Sequence, residues 1–143
     1  SKIEDPAEQL IRMIHMHFLP HMSHPSVARL AAWAVLESEY WDFTRFEDPF
    51  AWAIEKMREM QDKSYVRKGL DPKSIMVIQD GAVTYWMQVK QAYGAALGLD
   101  TSGEAVDQQF IAQTMDILIR GIGTEKLVQR WEELRGDIVF DQM

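Results

Sequence analysis

Apolar residues recur at intervals of three and four along most of the chain, and each run is bounded by residues that start or stop a helix. Asp5-Pro6-Ala7-Glu8 offers a capping side chain, a proline suited to the first helical turn, and an acid three residues on that can close a capping box. Leu10, Ile11, Met13, Ile14, His17 and Phe18 then share one face, and Pro20 is expected to end this helix, placing it at about 6 to 19. Ser23-His24-Pro25 opens a second helix whose stripe is Val27, Leu30, Ala31, Ala34, Val35, Ser38 and Trp41, ending at Trp41 or Phe43. The segment from Glu37 to Phe43 mixes acids with three aromatics and reads as a helix end at a cavity rim. Asp48-Pro49 opens a third helix carrying Phe50, Ala53, Ile54, Met57, Met60, Gln61 and Tyr65, stopped at Gly69.

The stretch from Gly69 to Gly98 holds the longest helix. Asp71 is a strong N-cap, Pro72 fits the first helical position, and Gly98 suits a left-handed C-cap, so the helix is expected from Pro72 to Leu97. At 1.5 Å per residue it spans roughly 39 Å. Its stripe is Ile75, Ile78, Ala82, Tyr85, Trp86, Val89, Tyr93 and Ala96, widened by Met76, Val83 and Met87 beyond what one neighbour would cover. The turn Thr101-Ser102-Gly103-Glu104 opens a fifth helix with Val106, Phe110, Ile111, Thr114, Ile117 and Leu118, ending at Gly121 and Gly123. Thr124 caps a short sixth helix with Leu127, Val128, Trp131 and Leu134, stopped by Gly136. With no sustained alternating pattern and no internal repeat, the expectation is an all-α fold. It would be a single domain over 1–143 with about six helices in an antiparallel bundle.

Composition narrows the function classes. A chain of 143 residues, 47% hydrophobic, can fill a real core. No apolar run approaches the roughly 20 residues of a membrane span, and Ser1-Lys2-Ile3-Glu4-Asp5 lacks the features of a signal peptide, so a cytoplasmic protein is expected. The absence of cysteine rules out disulfides and thiolate metal sites. A net charge of −7, with Arg67-Lys68 as the lone basic cluster, argues against direct contact with a phosphate backbone.

Catalytic signals are weak. His15, His17, His21 and His24 have spacings that would share a face on an unbroken helix, but Pro20 is read as breaking it and no acid stands nearby at a supporting spacing. The expectation is His17 packed or hydrogen-bonded inside and no metal, with metal ligation the minor reading. There is no G-x-S-x-G elbow, Gly121-Ile122-Gly123 lacks the rest of a phosphate loop, and no Glu-x-x-His stands on a bundle helix. A protein that is not an enzyme and needs no cofactor is expected.

Aromatic rings and methionines are abundant on the first four helices. Each alone is more simply a core residue, yet rings with polar tips beside adaptable methionines also line apolar pockets, and Gln79, Thr84 and Gln88 add polar groups. The fourth helix turns small at Ala92, Gly94, Ala95 and Ala96, and the fifth is apolar on two sides. The expected result is a dimeric four-helix seam built from Val89, Ala92, Tyr93, Ala96, Phe110, Ile111, Thr114, Ile117 and Leu118.

The order of these signals resembles the C-terminal effector-binding and dimerisation domain of TetR/AcrR-type transcriptional regulators. The residues that carry it are His24-Pro25-Ser26-Val27-Ala28-Arg29-Leu30, Tyr65-Val66-Arg67-Lys68-Gly69-Leu70-Asp71-Pro72, Gly98-Leu99-Asp100, and Phe110 through Ile117-Leu118-Ile119-Arg120-Gly121-Ile122, covering about 24 to 123. The resemblance implies an all-helical homodimer that senses a small apolar or aromatic ligand. It also implies that operator DNA is bound through an N-terminal helix-turn-helix domain, which Ser1 to Pro20 does not contain. Family pockets imply Met13, His17, Trp33, Trp52, Met57, Tyr85 and Trp86 as ligand contacts, beside Gln79. The rival expectation is a helical protein-protein interaction module without a ligand pocket.

Overall fold

The computed structural model describes residues 4–37 and 50–138. Among them lie six α-helices and no sheet: α1 (Pro6–Ser23), α2 (Pro25–Glu37), α3 (Ala51–Asp62), α4 (Pro72–Leu97), α5 (Ala105–Ile122) and α6 (Glu125–Leu134), forming an all-α bundle. The expected end of the second helix at Trp41 or Phe43, the rim segment beyond Glu37 and the Asp48-Pro49 start fall outside the described residues.

Local signals set the helix ends. The Asp5 carboxylate accepts a hydrogen bond from the Ala7 N–H at 3.0 Å, and Asp71 does the same for Lys73 at 3.0 Å. Glu8 pairs with Arg12 and Arg130 rather than serving only its own helix end. Gly98, at φ +69°, closes α4 in the left-handed region, where a side chain would be strained.

Pro20 does not end α1. The helix continues to Ser23, capped by the His24 N–H on the Pro20 carbonyl. An interior proline costs about 3 kcal/mol through its lost N–H and its clash with the preceding turn. Against this, the extra turn carries Met22, which packs against both apolar clusters of the molecule. The third helix is also shorter than expected, ending at Asp62. Ser64 then adopts φ 61°, and Tyr65 becomes part of the turn.

The core is built around α1, which packs against all five other helices. Its buried face of Ala7, Leu10, Ile11, Ile14 and Phe18 meets Met57 and Met60 from α3, Val83 from α4, Ile111, Met115 and Ile119 from α5, and Leu127 and Trp131 from α6. Burial of such side chains stabilises by about 1.5–3 kcal/mol each. A second cluster of Trp86, Met87 and Val106 joins α4 to α5.

The α3–α4 and α5–α6 turns are fastened together. Thr124 accepts no role as a side-chain cap and instead donates its hydroxyl to the Ser64 carbonyl at 2.7 Å. Its N–H bonds the Tyr65 carbonyl at 3.0 Å, while the Arg67 N–H bonds the Ile122 carbonyl at 2.9 Å. Gly123 is required at this junction, since a Cβ there would stand 2.5 Å from the Ile119 carbonyl oxygen.

Candidate functional site

A cavity of about 680 Å³ lies between α1, α3 and α4. Met13, Met16, His17 and His21 reach it from α1, Trp52 and Ala53 from α3, and Met76 and Gln79 from α4. Arg12 and Lys56 stand at its edge, each paired with an acid, Glu8 and Glu59 respectively. Gln79 is buried at 2% exposure, and its amide donates to the Ile14 carbonyl at 3.2 Å, tying α4 to α1 within the wall.

Beside this cavity, α1 and α4 bring together three groups that can titrate. His17 Nε2 lies 3.2 Å and His21 Nε2 3.5 Å from Asp80 Oδ1. The hydrogen bonds from His17 and then His21 hold the Asp80 carboxyl well below the usual carboxylate range, against a burial that would raise it. His15, on another side of α1, is held below its ordinary value by burial and by the Arg12 charge.

A second groove, of about 490 Å³, runs along α4 and α5. Tyr85, Val89 and Tyr93 line it from α4, and Val106, Phe110 and Gln113 from α5. Trp86 stacks on Phe110 with centroids 4.5 Å apart and planes at 7°. The Tyr85 and Tyr93 hydroxyls are 2.8 Å apart. Ile78 on α4 and Ile117 on α5, the latter at 71%, are exposed in the single chain, as are Tyr85, Tyr93 and Leu97 of the groove's lining. Beneath it, Asp107 is buried and accepts from the Lys90 ammonium at 2.8 Å and the Trp86 indole N–H at 2.8 Å.

Of the ligand contacts expected from the sequence, Met13, His17, Trp52 and Gln79 meet at the first cavity. Met57 is fully buried in the core. Tyr85 and Trp86 line the second groove, and Trp33 is 60% exposed on α2. Of the expected dimer residues, Ala92, Tyr93, Ala96 and Ile117 are exposed, Val89, Phe110 and Thr114 are half-buried, and Ile111 and Leu118 are buried within this chain. Sequence spacing did not reveal Met16, His21, Met76 or Asp80 as neighbours of the first cavity and its rim. The (i, i+4) spacing of His17 and His21 was a usable signal, hidden by the reading of Pro20 as a helix end.

The described residues thus form an all-helical bundle with a partly open cavity and exposed apolar residues along α4 and α5. Residues 13–115 match the family described as tetracyclin repressor-like, C-terminal domain. The chain belongs to this family, whose fold is regulatory and non-catalytic. No curated protein and no solved structure matches the chain significantly. Among the described residues, no helix is long and apolar enough to cross a membrane.

Proposed function

We propose that this chain is the small-molecule-sensing and dimerisation domain of a TetR-like transcriptional repressor. The observation that carries the reading is the cavity between α1, α3 and α4, whose volume of about 680 Å³ suits a small organic molecule. Its lining supports an apolar or aromatic ligand, held by Trp52, Met13 and Met76 and oriented by Gln79 and His17. Because α1 walls the cavity and packs on every other helix, a ligand that prefers one packing of α1 shifts the population of the whole bundle. Operator DNA would be bound by a separate N-terminal helix-turn-helix domain, and α1 would pass the shift to it. The exposed apolar face of α4 and α5 supports homodimerisation through Val89, Ala92, Tyr93, Ala96, Phe110, Thr114 and Ile117.

The test is a titration with a panel of apolar and aromatic compounds, read by tryptophan fluorescence and melting temperature. A ligand at about 100 times its Kd stabilises by about 2.7 kcal/mol, which raises the melting temperature of a domain this size by about 5–10 °C. A panel that produces no shift would sink the sensing role. The same exposed α4–α5 face favours, as the second reading, a helical module that docks on another protein. A chain that stays monomeric at high concentration would support that reading instead.

A further inference from the structure

The unbroken course of α1 past Pro20 has a chemical outcome. His17 and His21, four residues apart, rise on one helical face a turn apart, and α4 brings Asp80 against both. Their three ligand atoms all lie within 4.8 Å of one another. Donor atoms held about 2.0–2.2 Å from a common zinc ion stand about 3.0–3.5 Å apart in tetrahedral or octahedral arrangement. The two nitrogen-to-oxygen separations here, 3.2 and 3.5 Å, fall on that scale, and the two imidazole nitrogens, within 4.8 Å of each other, would draw together on an ion.

We propose that His17, His21 and Asp80 form a binding site for a divalent transition-metal ion. Two imidazoles and one carboxylate suit zinc, nickel, cobalt or ferrous iron, and they disfavour magnesium and calcium, which take oxygen ligands. The side chains are 23%, 24% and 39% exposed, so an ion has a path in while the helices fix the ligands around it. The ligands come from two different helices, so the ion clamps α1 to α4 at the rim of the cavity that both histidines line. Three protein ligands leave a coordination position for water or for a donor atom of a molecule in that cavity.

The test uses tag-free protein stripped with a chelator and titrated with cobalt(II) and zinc(II), each followed by spectroscopy and calorimetry. The expected result is a visible cobalt absorption displaced by zinc, one zinc per chain, and a zinc-dependent rise in melting temperature. His21→Gln and Asp80→Asn should each weaken zinc by about tenfold or more, while His24→Gln, away from the cluster, leaves it unchanged. Circular dichroism checks that each variant folds. If Asp80→Asn does not fold, the zinc-dependent melting shift of His21→Gln against the wild type decides. No cobalt spectrum and no zinc binding at millimolar ion would overturn the proposal. So would zinc binding that survives His21→Gln or is lost in His24→Gln.

Discussion

Asp107→Ala probes the contact between α4 and α5 directly. In the native molecule Asp107 takes both oxygens to the Lys90 ammonium, at 2.8 and 3.1 Å, and Oδ1 also accepts the Trp86 indole N–H at 2.8 Å. The Lys90 and Asp107 side chains are 15% and 12% exposed, so the substitution strands an ammonium and an indole N–H at a largely dry junction. Breaking a buried pair on one side costs about 3–5 kcal/mol, and the residual water access to Lys90 places this case near the low end, at about 3 kcal/mol. That is a large share of the roughly 5–15 kcal/mol that stabilises a typical domain. The assay is urea denaturation followed by tryptophan fluorescence at one fixed protein concentration, because any self-association adds to apparent stability. The double variant Asp107→Leu with Lys90→Met replaces both charges by apolar groups and is expected to recover the part of the loss due to the stranded ammonium, leaving the part due to the Trp86 indole N–H. A loss below about 0.5 kcal/mol for Asp107→Ala, or a double variant as unstable as the two single changes added together, would refute the reasoning.

Other outcomes follow from the same geometry. Ile117→Arg, at an exposed position of α5, should change the stability of the single chain by no more than about 0.5 kcal/mol yet turn a dimer into a monomer in sedimentation equilibrium. A variant that remains dimeric would place the interface elsewhere. The Asp116 carboxyl, bonded by Arg120 and the Trp131 indole against a smaller effect of burial, is held below its ordinary value. A depressed carboxyl contributes stability in full above its unfolded pKa of about 3.9 and loses it as pH falls through the lower folded value. Asp116→Asn should therefore narrow the stability difference between neutral pH and the acid range below about 4, measured by urea titration at each pH. An unchanged pH profile would show that Asp116 contributes nothing to acid sensitivity.

Local chemistry made part of this fold legible. The bounds of α4 follow from Asp71, Pro72 and Gly98, each of which acts through its own backbone and its nearest neighbours. The Glu125–Leu134 helix was legible through its clean apolar stripe of Leu127, Trp131 and Leu134, although the Thr124 side chain bonds the Ser64 carbonyl rather than capping it. Pro20 misled because its penalty is local, while the packing of the partly buried Met22 beyond it depends on helices far along the chain. Asp80 escaped notice as a partner of His17 because the two are separated by 63 residues and meet only when α4 crosses α1. Gly94, one of the small residues expected to let another helix approach, has a use within the chain as well: a Cβ there would stand 2.3 Å from the Thr101 methyl, a contact that its place in the stripe does not reveal. Nor does spacing separate a core methionine from a cavity one. Met57 and Met13 both lie on apolar stripes, but the first is sealed in the core and the second faces the cavity.

The central claim is that the space between α1, α3 and α4 receives the ligand. Ala53 lines that space, so Ala53→Phe fills part of it from the α3 side. The decisive measurement is the ligand-induced rise in melting temperature, compared between wild type and Ala53→Phe, for any compound that stabilises the wild type. The account predicts a rise of about 5–10 °C at saturating ligand in the wild type, and little or none in a variant that remains folded by circular dichroism. An equal rise in both proteins would contradict it.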